Sequence, residues 1–196
     1  MPMHAPAATT ERDCLLGFLN QQRNAAKAAA YGLTDAQAAA APTASSLTVG
    51  GLLKHLTQVE RHWTAIIRQE VGAGTDFEAY LAGFRFEDSD TVADVIDEYD
   101  AAIRATDDCI VGLDLDHAVP VPKGVPWFPD DVEAWTLRWV VLHLVEETAR
   151  HAGHADIVRE SIDGAASGAL LAAVEGWQPT PWLQPWQPVT VLSQMR

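Results

Sequence analysis

The chain is poor in cysteine, poor in positive charge and without a long apolar run. Its two cysteines, Cys14 and Cys109, lie far apart and form no CxxC pair, so a disulfide framework is not indicated. Neither has an activating base nearby in sequence, and each reads as a small buried residue on a helix. Thirteen Lys and Arg face 27 Asp and Glu, a net charge of −14. Such a surface repels phosphate backbones and anionic lipid, and no local Lys/Arg cluster offsets it, so neither nucleic acid nor membrane is expected as a partner. No stretch approaches the roughly 20 apolar residues of a membrane span. Met1 to Thr10 lacks a basic region followed by an apolar one, so it does not read as a secretory signal, and the expected location is the cytoplasm.

What remains is a globular composition, 48% hydrophobic and 20% charged, in 196 residues, enough for one domain with a sizeable core. Apolar residues recur at helical spacing in four long segments. The first spans Thr10 to Tyr31 and stops at Gly32; a short extra turn fits Thr34 to Ala41, before Pro42. The second spans Thr48 to Val71, with a stripe of Leu52, Leu53, Leu56, Val59, Trp63, Ile66 and Ile67, closed by Gly72 and Gly74. The third follows Ser89 as N-cap, with Asp90 in its first turn, and runs to the neighbourhood of Gly112. A connection from Asp114 to Pro129 holds four prolines, which forbid a helix; only Val119 to Val121 hints at a strand. The fourth helix is predicted from Asp130 or Asp131 to Ile162, before Gly164. From Gly176 the sequence turns to Trp and Pro. The prolines favour extended backbone, while Trp177, Trp182 and Trp186 argue for a tail packed on the helices. The expected fold is all-α, a four-helix bundle in one domain over 1–196, with 176–196 as an extended tail.

Chemistry concentrates in the fourth helix, His143-Leu-Val-Glu-Glu147-Thr-Ala-Arg-His151-Ala-Gly-His154. His143, Glu147 and His151 follow at steps of four, each advancing roughly 40° beyond a full turn, so neighbours share a face. Glu147 and His151 can therefore address one ion from adjacent turns. A third donor is available in His55, set among Leu52, Leu53 and Leu56 of the second helix, where a core-edge imidazole needs a partner. Two neutral imidazoles and a carboxylate with an open fourth position form a catalytic zinc set; nickel, iron and manganese accept the same donors. A hydrogen-bonded core histidine and a helix-surface Glu–His pair would leave the same pattern. Glutamate does not follow His143 at the next position, so the HExxH of metalloproteases is absent. His154 and His62 are candidate groups for orienting a ligand or relaying a proton. Arg138 and Arg150 read as a solvated or salt-bridged helix face.

Three segments resemble the DinB-like superfamily, and within it the actinobacterial mycothiol-transferase group: Leu47-Thr-Val-Gly-Gly-Leu-Leu-Lys-His-Leu-Thr-Gln-Val-Glu-Arg-His-Trp63; His143 to Ile157; and Asp163-Gly followed by Ala173-Val-Glu-Gly-Trp177 and Pro181-Trp-Leu-Gln-Pro-Trp186. The resemblance implies an up-down-down-up bundle. It implies a metal held by one His of the second helix and two residues four apart on the last. Many members carry His at both of those later positions; here the first is Glu147, as in relatives of mycothiol-dependent maleylpyruvate isomerase. The implied activity is transfer of a low-molecular-weight thiol, mycothiol, to a small electrophile, with a divalent metal, zinc first, as cofactor. A homodimer is compatible with this reading. Metal-dependent hydrolysis and non-enzymatic ligand binding in a stress response remain as alternatives.

Overall fold

The computed structural model describes residues 4–70 and 77–188. Among them the helices are α1 (Glu11–Ala29), α2 (Asp35–Ala38), α3 (Val49–Ile67), α4 (Phe77–Ala82), α5 (Val92–Val111), α6 (Leu137–Asp163) and α7 (Ser167–Val174); β1 (Ala118–Pro120) and β2 (Ala134–Thr136) form the only strands. The protein is mostly helical. Val71, Gly72 and Gly74, expected to end the second helix, lie outside the described residues, as does the tail beyond residue 188.

Threonine starts every long helix. Thr10, Thr48, Thr91 and Thr136 each accept the backbone N–H three residues on, which satisfies one of the open donors of a first turn. Two expected starts are thereby corrected. Ser89 is not the cap of the third long helix: Asp90 instead turns back to accept Glu87 N and Lys54 Nζ, and the helix begins two residues later behind Thr91. The fourth long helix begins at Leu137 rather than Asp130 or Asp131. Ala134–Thr136 pairs antiparallel with Ala118–Pro120, which lets Val119 and Trp135 point into the core. The helix ends at Gly164, whose φ of 76° is the left-handed cap that favours glycine.

The long helices pack in pairs, α1 along α6 and α3 along α5, with α3 also against α6. Their core is split in two. One apolar cluster holds Leu52, Leu53, Leu56, Tyr99, Ala155 and Val158; the other holds Leu19, Trp63, Ile66, Ile110, Val140 and Leu144. Between them in all four sequences lie buried polar residues, Arg23, Glu60, Thr106 and Thr148. Arg23 Nε and Nη2 donate to the two Glu60 oxygens at 2.7 and 2.8 Å, and Thr106 and Thr64 share a hydrogen bond of 2.9 Å. Arg23, Glu60 and Thr106 thus meet partners, as burial requires. Cys14 is exposed, contrary to expectation, because α1 turns Leu19, Arg23 and Ala26 inward; Cys109 is half-buried against the second cluster.

Two contacts fix the end of the bundle that holds the first cluster. Gly50 and Gly51 open the first turn of α3 to residues 84–86; a Cβ on Gly51 would fall on the Phe84 carbonyl oxygen, and one on Gly50 on the Phe86 ring. Buried Arg159 donates to Ala29 O, Tyr31 O and Asp163, and its guanidinium lies 4.8 Å from the Trp186 ring centre. Trp186 N donates to Ala169 O, and its ring sits over Gly32. Trp182 is 71% exposed.

Candidate metal centre and aromatic cavity

His55 of α3 and His151 of α6 each place Nε2 3.2 Å from Glu147 Oε1. The helix geometry brings them there: Glu147 and His151 stand one turn apart on α6, and α3 packs against that face. One donor atom from each of the three residues lies within 4.8 Å of the others. His55 is 1% exposed, His151 12% and Glu147 21%, so the cluster opens on the carboxylate side. The Phe84 ring lies over His55 at 3.9 Å between centres and 16° between planes, a packing that the glycines at 50 and 51 permit.

The charges are arranged for donation. Hydrogen bonds from His151 and His55 hold the Glu147 carboxyl far below the usual carboxylate range. Burial pushes the His55 imidazole down, against the pull of Glu147, and so favours the neutral ring that a metal needs. His55 Nδ1 and His151 Nδ1 are buried with no hydrogen-bond partner among the described residues, so the ring atoms that interact are those that converge on Glu147. Two imidazoles and one ionised carboxylate, converging and partly open, fit a divalent ion.

The other candidates are placed differently. His154 packs its ring edge on His151 at 5.4 Å, with Nδ1 buried and unpaired, and is not part of the cavity wall described below. His62 stands about two turns from His55 on α3 and lines that cavity; burial lowers its pKa. His143 does not join the three donors. It stacks on Trp139 at 5.5 Å and 7°. Arg138 is engaged by Glu11 and Asp116, and Arg150 by Glu146, in keeping with salt-bridged helix faces.

Beside the cluster lies a cavity of about 600 Å³, within the range of small-molecule sites. His55 and Glu147 reach its wall, and Trp63, Trp127, Phe128, Trp135 and Trp139 give that wall much of its aromatic character. Sequence reading missed this aromatic wall. One signal was available: Trp135, Trp139, His143 and Glu147 repeat every four residues, so the face that carries the donors continues upward as aromatic rings. Trp127 and Phe128 come from the Pro-rich connection, whose path depends on the β1–β2 pairing and on packing against Trp135 at 5.0 Å.

Fold and site together define a class: a helical protein with a His/Glu/His donor set at the edge of an aromatic cavity. A family model described as Mycothiol-S-transferase matches residues 14–164, and the chain belongs to that family. A comparison with curated proteins finds no significant match. No helix among the described residues is long and apolar enough to cross a membrane.

Proposed function

We propose that the protein is a divalent-metal-dependent mycothiol S-transferase that joins the thiol to a small electrophile in the cytoplasm. The observation that carries the reading is the convergence of His55, Glu147 and His151 beside the aromatic cavity, in a chain of the Mycothiol-S-transferase family. In this reading 1–196 is one metal-binding domain, an up-down-down-up four-helix bundle with the 176–196 tail packed on it. The pairing of α1 with α6 and of α3 with α5 and α6 supports that arrangement, as does the seat of Trp186.

His55, Glu147 and His151 would hold the ion, zinc before nickel, iron or manganese. A bound divalent ion lowers the pKa of a thiol beside it and so supplies a thiolate at neutral pH. The chain's own groups do the rest. Phe84 fixes the plane of His55, and His154, packed on His151, restrains the second imidazole. The cavity walls exclude water and hold the acceptor's carbon near the sulfur. Its neutral His62 accepts or returns a proton as the thiol reacts. A carbon–sulfur bond forms. Either a leaving group departs with the bond's electron pair, or, with an unsaturated acceptor, a proton is added to the neighbouring carbon.

The test compares initial rates of thiol consumption with a bimane halide as acceptor, for mycothiol, bacillithiol and glutathione, with and without chelator. Mycothiol should react fastest, and chelation should abolish the catalysed rate. Hydrolysis of an ester or amide without any thiol would favour a hydrolase instead. Tight ligand binding with neither reaction would favour a binding protein.

A further inference from the structure

The cavity wall has a composition that thiol transfer alone does not require. Trp135, Trp139 and His143 form a continuous stack along one edge, with ring centres 4.7 and 5.5 Å apart and planes within 5° and 7° of parallel. Trp63, buried, leans on that stack from α3, 5.4 Å from Trp135 and 5.8 Å from Trp139. Phe128 packs edge-on against Trp135 at 5.0 Å, and Trp127 lies 6.4 Å from Phe128. Such a wall presents indole faces and edges, which planar π systems match by offset stacking or edge contact.

The same wall offers no fixed cation among the described residues. Among the described lining residues the ionisable groups are histidines, Tyr80 and Glu147. The bases on the flanking helices are paired elsewhere, Lys54 with Asp90, Arg61 with Glu98 and Arg150 with Glu146. A carboxylate entering here would shed water against indole without meeting a cation among the described lining residues, within a chain whose net charge is −14. In the thiol-transfer reading, the two charges of a bound divalent ion would be matched by Glu147 and the thiolate.

We infer that the cavity selects an uncharged, planar conjugated ligand against Trp63 and Trp139 and rejects carboxylate-bearing ones. This rests on the thiol-transfer reading only in making that ligand the acceptor. With a bromomethyl arene the sulfur bonds to the benzylic carbon, the carbon–bromine pair leaves as bromide, and the thiol proton passes to solvent.

Binding and turnover are measured separately. Four of the seven tryptophans line the cavity, so quenching of intrinsic fluorescence reports occupancy. The probes are 2-naphthalenemethanol and 6-(hydroxymethyl)-2-naphthoate, unreactive and matched except for charge, added to chelator-treated protein so that no bound ion attracts the carboxylate. The neutral probe should bind about tenfold tighter or more. Trp139→Ala should weaken it about fivefold, with melting temperature and circular dichroism showing that the variant is folded. Trp182→Ala, outside the wall, should change nothing. Trp127→Arg, at a half-exposed position of the wall, should improve binding of the naphthoate. Turnover with mycothiol then compares 2-(bromomethyl)naphthalene, 6-(bromomethyl)-2-naphthoate and iodoacetamide, and the first should be preferred. Equal binding of the two probes, or tighter binding of the naphthoate, overturns the inference whatever the turnover. Turnover of iodoacetamide with no preference for the neutral naphthyl acceptor also overturns it, and leaves thiol transfer standing. Selective binding of the neutral probe without thiol consumption supports the cavity's selectivity and removes the thiol-transfer reading.

Discussion

Arg23→Met removes the cation from the polar layer that divides the core. Arg23 and Glu60 are each 1% exposed, and the guanidinium also donates to Asn20 at 2.9 Å and Asp107 at 2.8 Å. The substitution strands the Glu60 carboxylate among buried neighbours, where water cannot replace the lost donors. Removing one partner of a buried pair costs about 3–5 kcal/mol, whereas replacing both with apolar residues of similar volume is often neutral. Arg23→Met should therefore lose about 4 kcal/mol, and Arg23→Met/Glu60→Leu should recover most of it. In a chain of this length each kcal/mol moves the melting temperature by about 2–4 °C, so the single variant should melt roughly 8–16 °C lower. Urea unfolding followed by far-ultraviolet circular dichroism measures both changes. Because neither residue is a proposed ligand, metal content per folded chain should stay as in the wild type. A loss below about 1 kcal/mol in the single variant, or a double variant no better than the single, would refute the reasoning.

Asp156 gives a pH signature: burial, and then the charge of Glu160, push its carboxyl up to about 6 in the folded chain. The folded state thus holds this proton more tightly than the unfolded state, so the group favours folding at low pH and opposes it as pH rises through about 6. Asp156→Asn should stabilise the protein at pH 8 by about 1–2 kcal/mol, a figure reduced for partial solvent exposure, and the gain should fade towards pH 4; equal gains in melts at both pH values would contradict this. Gly51→Ala drives a methyl into the Phe84 carbonyl oxygen, so residues 83–86 must move and Phe84 must leave the His55 ring. That variant should melt lower and release metal to a chelator faster, and unchanged release in a folded variant would argue against Phe84 as a support. Trp186→Ala removes the ring that covers Arg159 and Gly32. Limited chymotrypsin digestion should then cut the 177–188 stretch faster than in the wild type, and identical cleavage would show that the ring does not hold the tail.

Local signals carried the helices and much of the site. The stripe from Leu52 to Ile67 and the glycines at 32 and 164 mark helices and their ends because propensity, periodicity and capping agree there. The spacing of Glu147 and His151 is a property of one helix and could be read directly; His55 could be singled out because an imidazole among leucines needs a partner. What escaped depends on contacts between distant segments. Residues 130–136 carry two aspartates that suit a helix start, yet pairing with 118–120 buries Trp135, and tertiary packing outweighs local preference. Ser89 is as good a cap as Thr91 in isolation, and Lys54 and Glu87, by engaging Asp90, shift the start. Gly50 and Gly51 read as weak helix residues until Phe84 and Phe86 are seen against them. Trp127 and Phe128 lie in a connection whose course no periodicity encodes.

The central claim is that one ion is held by His55, Glu147 and His151. Elemental analysis of folded protein tests it most directly, with His55→Ala and His151→Ala beside wild type, and with His62→Ala and His154→Ala as comparisons. The expected result is about one divalent ion per chain in the wild type, most of it lost in the His55 and His151 variants and retained in the other two. Stoichiometric metal in folded His55→Ala and His151→Ala would contradict it.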